Sequence, residues 1–259
     1  LVRMIGNPHI RFLEDPVRLI RVVRYAAKYG FRIEDKCERS ILQNHALILK
    51  SSSVRVYEEL KKDLLSGYCS KTLPSLSRHL LLQHLLPELA QPDMLAPGSP
   101  YVRCLEAADK IISTKPEKST TPMFCLLAIF MRGADPTALD LTRHFANADQ
   151  LNDFIGEVFA NLAVPRKERE RICGTFSLWL KLLTTPTDKL RPVGIVKNEN
   201  FQDLMVLLEI LNVSGYYREL LELMSALRNR REPARKGRSQ RSKYYRKAGW
   251  PRRLPARPT

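Results

Sequence analysis

The sequence predicts an all-α fold, and three observations carry that prediction. Almost every segment places apolar residues at helical period, helix starts are marked by a capping residue followed by proline, and alternating apolar/polar runs of strand type are absent. The 259 residues, 44% of them hydrophobic, fit one large or two ordinary domains and can fill a core, which excludes wholesale disorder.

In chain order, Asp15-Pro16 reads as an N-cap followed by proline at the first helical position, and Gly30 stands where a left-handed helix stop belongs. At about 100° per residue from Arg18, the residues Leu19, Ile20, Val22, Val23, Ala26 and Ala27 fall between about 40° and 200°. Arg18, Arg21, Arg24, Tyr25 and Lys28 occupy the opposite arc. One face is expected to pack and the other to form a basic stripe. Residues 36–49 and 54–66 read as amphipathic helices joined by Ser51-Ser52-Ser53, the second ending at Gly67. A leucine-rich helix is expected over 70–86, and a Pro/Gly/Ser loop over 87–100 separates two helical groups. Thr121-Pro122 and Asp135-Pro136 repeat the start signal, and further helices are expected over 149–162, 166–183, 199–211 and 215–228. No fixed-period repeat is present.

The net charge of +16 is unevenly placed: residues 228–259 hold 13 Lys/Arg and one acid, Glu232. A near-neutral body thus carries a basic, disordered tail, the composition of an interaction arm. In it Arg235, Lys236, Arg238, Arg241, Lys243, Arg246 and Lys247 can neutralise phosphates while Tyr244 and Tyr245 stack on bases, which makes these residues candidate RNA contacts. Prolines at 251, 255 and 258 argue against a basic membrane-surface helix. The five cysteines are odd in number, widely spaced and without a C-x-x-C pair, so buried reduced thiols are expected and no zinc site. The apolar run from Phe124 to Met131 is far short of the ~20 residues of a membrane span, and no signal peptide opens the chain. A cytoplasmic protein is expected. The chain opens on Leu1 in mid-pattern, so a preceding N-terminal segment is also expected.

The stretch from Arg11 to Ala27 carries the chemistry. A carboxylate near a helix start beside an arginine fork offers acceptor and donors side by side, a pairing suited to a nucleobase edge. Spacing alone leaves a second reading open, in which Asp15 caps, Glu14 and Arg18 pair at i,i+4 and the arginines form a solvated face. His79 and His84, five apart, do not share a helix face for a metal. Phe124, Phe130 and Trp179 read as core, and Gly98-Ser99-Pro100 as a loop.

The run Arg11-Phe12-Leu13-Glu14-Asp15-Pro16-Val17-Arg18, continuing through Arg21 and Arg24 to Tyr25-Ala26-Ala27, resembles the E-D-x-x-R motif and following helix of the class II nucleotidyltransferases. These are the bacterial poly(A) polymerases and CCA-adding enzymes. Arg55 to Leu60 and Leu64 to Tyr68 resemble a further segment of the poly(A) polymerases, Val164-Pro165-Arg166-Lys167 a later one, and the basic tail their arginine-rich C-terminus. Asn7 in Gly6-Asn7-Pro8 departs from the family's aspartate.

The resemblance implies neck helices over 1–68, a helical body over 69–227 and the tail over 228–259. It implies that Asp15 and Arg18 read the Watson–Crick edge of the incoming nucleotide, with Arg21 and Arg24 supporting that face. It implies ATP as substrate, RNA 3′ ends as partner, RNA-degradation machinery as a further partner, and a monomer. The family's Gly-Ser turn and Asp-x-Asp pair, which bind two Mg²⁺ ions in an N-terminal head, have no counterpart here, so this chain alone is expected to be inactive. For Arg55 and Glu59 a buried pair locking two helices is expected. A CCA-adding parent and a stand-alone, non-catalytic RNA-binding protein remain as alternatives.

Overall fold

The computed structural model describes residues 1–91, 93–114, 120–160, 162–185 and 192–229. Within them the chain is all-α, and the single β-bridge, Val2 with Ile33, belongs to no strand. The first group of helices is α1 (Pro8–Glu14), α2 (Arg18–Tyr29), α3 (Asp35–Asn44), α4 (Ser53–Leu64), α5 (Cys69–Arg78) and α6 (Leu82–Leu85). The second is α7 (Pro100–Thr114), α8 (Thr120–Met131), α9 (Ala148–Val158), α10 (Arg166–Thr184), α11 (Pro192–Val196), α12 (Phe201–Leu211) and α13 (Arg218–Asn229).

Local chemistry sets the ends. Asn7 caps α1 by accepting the His9 N–H at 3.0 Å, and Ser52 caps α4 by accepting that of Arg55 at 3.3 Å. Gly30 closes α2 at φ +66°, and Gly67 follows α4 at φ +72°, as their positions predict. Asp135 does cap, accepting from Thr137 N–H, but it starts only a 3-10 turn, Pro136–Ala138.

Three expectations are corrected. The 70–86 helix is two helices, because Leu80 takes φ +60° and turns the chain between α5 and α6. The Leu80 N–H reaches the Ser77 carbonyl at 2.9 Å and that of Leu81 reaches Leu76 at 3.0 Å, a helix-stop geometry usually occupied by glycine. The 36–49 helix ends at Asn44 and tightens into a 3-10 turn over His45–Lys50. Asp15 does not cap α2 with its side chain. It closes α1, and its backbone carbonyl receives the Arg18 N–H at 3.1 Å.

α2 buries Leu19, Ile20, Val22, Val23 and Ala26 and packs chiefly on α5. Each large apolar side chain so buried contributes about 1.5–3 kcal/mol. At the centre lies α8, buried from Thr121 to Phe130 on every face, with α4, α9, α10 and α12 against it. One continuous core runs from Phe12 to Met224 and crosses the expected neck–body boundary at residue 68 without a gap. α13 continues to Asn229, and the tail beyond lies outside the described residues.

Phe124, Phe130 and Trp179 are core residues. Trp179 meets Tyr217 edge-on at 5.6 Å, and the buried Tyr217 hydroxyl accepts from Leu139 N–H at 2.8 Å while facing the carbonyls of Leu139 and Pro136 at 3.1 and 3.2 Å. Tyr217→Phe keeps the ring and strips these partners, so it should destabilise the fold by about 1–3 kcal/mol. A urea midpoint within error of the original would refute that role. The five cysteines are free, and burial pushes the thiols up, Cys37 to about 11 and Cys104 to about 12.

Candidate functional site

α2 and α4 lie against each other with complementary charge. Arg21 donates through Nε and Nη2 to Glu59 Oε1 at 3.1 and 2.9 Å. Arg24 donates through Nη2 to Glu59 Oε2 at 2.6 Å and through Nη1 to the Glu59 carbonyl at 3.3 Å. Lys62 adds a third cation at 3.0 Å. The Glu59 side chain is 3% exposed and that of Arg24 8%, so this ion pair lies between the helices. Burial works against ionising Glu59, yet hydrogen bonds from Arg21, Arg24 and Lys62 hold its carboxyl at about 2. One turn further, Asp63 is fully enclosed, with Arg24 Nε at 3.6 Å and no hydrogen-bond partner on either oxygen. Burial pushes its carboxyl up to about 7 against the pull of Arg24.

At the start of α2 the Asp15 carboxylate sits between two arginines. Arg55 Nη2 is 2.8 Å from Oδ1 and Arg18 Nε is 3.5 Å from Oδ2. Arg18 Nε is buried without a hydrogen-bond partner, while the Arg18 side chain as a whole is half-buried and Arg55 exposed. Arg11 pairs with Glu14 at 2.7 Å, and Arg18 lies against Asp15 in place of the Glu14–Arg18 pair of the second reading. The result is a polar edge with an acceptor flanked by donors, braced from beneath by the Glu59 cluster.

The structure thus brings Asp15 and Arg18 together and turns Arg21 and Arg24 towards α4. The basic stripe is shorter than the helical wheel predicts, because Arg24 is buried and Arg21 is committed to Glu59. Arg55 and Glu59 do not pair with each other. Arg55 goes to Asp15, and Glu59 locks α4 to α2. Asn7, the departure from the family pattern, caps a helix. Sequence reasoning missed Arg55, Lys62 and Asp63 as members of the site. It also missed a contact between His45 Nδ1 and His84 Nε2 at 2.7 Å, whose rings stack at 5.0 Å. The candidate tail contacts from Arg235 to Lys247 lie outside the described residues. Among the described residues no group of three or more His, Cys, Asp or Glu side chains could hold a metal ion. No helix among them is long and apolar enough to cross a membrane.

Fold and site define a helical scaffold that presents a carboxylate–arginine edge from a charge-locked helix pair. Residues 30–91 match the family described as "Probable RNA and SrmB-binding site of polymerase A". The chain is 33% identical over 175 residues to poly(A) polymerase I of Escherichia coli O6:H1, covering 64% of this chain and 38% of that protein. It is 28% identical over 193 residues to poly(A) polymerase I of Haemophilus influenzae, covering 70% and 42%. A shorter match, 40% over 62 residues, joins it to the CCA-adding enzyme of Lactobacillus helveticus, 24% of this chain and 16% of that enzyme. The chain is similar to poly(A) polymerases over about two thirds of its length and to CCA-adding enzymes over about a quarter. It spans about two fifths of the length of the poly(A) polymerases it matches.

Proposed function

We propose that this chain is the nucleotide- and RNA-binding part of a polynucleotide adenylyltransferase that adds AMP from ATP to RNA 3′ ends. The observation that carries the proposal is the Asp15 carboxylate held between Arg18 and Arg55. Asp15 accepts from the exocyclic amine of adenine while Arg18 donates to its ring nitrogen. A guanine or uracil presents a carbonyl where adenine presents its amine, and meets the carboxylate acceptor to acceptor. Arg21 and Arg24, bonded to Glu59, set the position of α2 and so of this edge. The longer match to poly(A) polymerases, 64% of the chain against 24% for the CCA-adding enzyme, favours AMP addition over CCA addition.

The described residues do not fit a two-Mg²⁺ centre, whose ions need clustered carboxylates. In this reading the phosphoryl-transfer chemistry belongs to a catalytic head outside this chain, and the chain itself binds nucleotide and RNA. The basic segment 228–259 supplies a sequence-blind grip on phosphates. In this reading the protein works as a cytoplasmic monomer on RNA 3′ ends, alongside RNA-degradation machinery.

Asp15→Ala, in an enzyme joining this chain to its catalytic head, should lower the ATP-over-GTP ratio of kcat/KM by about ten- to a hundredfold, the discrimination of one good base-edge pair. Single-nucleotide extension of an RNA primer reads the ratio. An unchanged ratio removes the base-reading role.

A further inference from the structure

A second feature of α2 points away from Asp15 and towards the end of the helix. Tyr25, Tyr29 and Phe31 are large rings about half exposed, at 48%, 56% and 52%, and Tyr68 is 38% exposed. They are not scattered. Tyr25 and Tyr29, one helical turn apart, lie stacked at 6.3 Å and 9° between planes, and Phe31 follows Tyr29 at 5.8 Å. Gly30 makes this possible: at φ +66° it turns the chain so that Phe31 continues the ring series beyond the helix end.

Cations are interleaved with the rings. Lys28 Nζ lies 5.4 Å from the ring centres of both Tyr29 and Tyr68, and so bridges α2 to the start of α5. Lys71 Nζ stands 5.7 Å from the Tyr68 ring. At the near end the Arg24 guanidinium lies 5.4 Å from the Tyr25 ring while bonded to Glu59, which fixes that ring to the buried cluster. Tyr25 stands seven residues beyond Arg18, about 10 Å along the helix at 1.5 Å per residue. A run of π faces with ammonium groups between them, beginning one short step from the base-reading edge, has the chemistry of a single-stranded nucleic-acid track. Every base has a π face to stack, and each lysine can meet a phosphate.

We propose that Tyr25, Tyr29, Phe31 and Tyr68, with Lys28 and Lys71, form a base-stacking strip for the single-stranded 3′ region of the RNA. The inference rests on the reading of this chain as RNA-binding, and it assigns the path that the last few nucleotides take along α2. The strip is sequence-tolerant, because stacking reads the base face and not its edge. The charge favours RNA over an apolar peptide: a lysine that leaves a ring face to a base finds a phosphate beside it, whereas an apolar partner would leave the displaced ammonium without a counter-charge.

The test compares two fluorescein-labelled 15-mers on the 259-residue chain: oligoadenylate, and an oligomer of the same sugar-phosphate backbone without bases. The original chain should bind oligoadenylate more tightly than the abasic oligomer. Tyr29→Ala and Phe31→Ala should each weaken oligoadenylate by about five- to a hundredfold and leave the abasic oligomer unchanged. Tyr29→Phe, which keeps the ring, should retain the affinity. Lys71→Gln should weaken both oligomers alike. Loss of both oligomers in Tyr29→Ala overturns the strip, since the ring would then act on the fold or the charge. Unchanged oligoadenylate binding in the alanine variants overturns it too, and leaves the rings to a protein partner. If the original chain binds both oligomers equally, the strip alone fails. If it binds neither, the RNA-binding reading fails with it.

Discussion

Replacing Glu59 with alanine is expected to destabilise the protein by about 3–5 kcal/mol, the penalty of breaking a buried ion pair from one side. Arg24 has no alternative strong acceptor: its side chain is 8% exposed, and the remaining carboxylate, Asp63, approaches only to 3.6 Å. Arg21 and Lys62 lose the same partner but can turn to water, since their side chains are 41% and 58% exposed. Arg24→Met should cost less than Glu59→Ala, because Arg21 and Lys62 still neutralise Glu59 and the methionine fills part of the space. The pH dependence has a defined sign. A carboxyl held at about 2 contributes stability that is fully present above its unfolded value near 4.3 and is lost as pH falls through 2. Urea unfolding at pH 7 checks the substitution. A change of less than about 0.5 kcal/mol would show that the cluster does not hold α2 to α4.

Asp63 should make the protein less stable as pH rises from about 4 to 7, opposite to the effect of Glu59. Its folded carboxyl is pushed up to about 7 by burial, with Arg24 pulling it down and Glu59 pushing it up. Across that window the folded state keeps a proton that the unfolded chain has released near 3.9, so deprotonation favours unfolding. Each tenfold difference in proton affinity between the two states is worth about 1.4 kcal/mol, and the full effect is on the order of 2–4 kcal/mol. Asp63→Asn retains the shape without the titration, and its stability should be nearly level between pH 5 and pH 8 while that of the original falls. Parallel falls in the two proteins would place the titration elsewhere.

Much of the scaffold was legible because its signals are local. The glycines at 30 and 67 and the apolar arc of Leu19, Ile20, Val22, Val23 and Ala26 each act within one turn of helix, whereas the Asp15-Pro16 cap did not form as its spacing suggests. Leu80 was not legible, since a leucine in the left-handed region carries no sequence mark. The burial of Arg24 was hidden for a different reason. A helical wheel assigns a cation to the solvent side, and the partner that reverses the assignment, Glu59, lies 35 residues away. A signal did exist: Glu59 and Asp63 stand at i,i+4 on one helix, matching Arg21 and Arg24 at i,i+3 on another, and two such faces neutralise each other when packed. The His45–His84 contact, 39 residues apart, left no comparable trace.

The placement of α8 bears on how the chain is made. From Thr121 to Phe130 it has no side facing water, and α4 from the first half and α10 and α12 from the second all close on it. On a ribosome, residues 1–100 emerge with α4 held against α2 and α5 but with its α8-facing side uncovered. When α8 follows, it is apolar all round and must wait for α10 and α12. The nascent chain therefore passes through a stage in which its most apolar segment is the one least protected, and it settles only when the second half has left the tunnel.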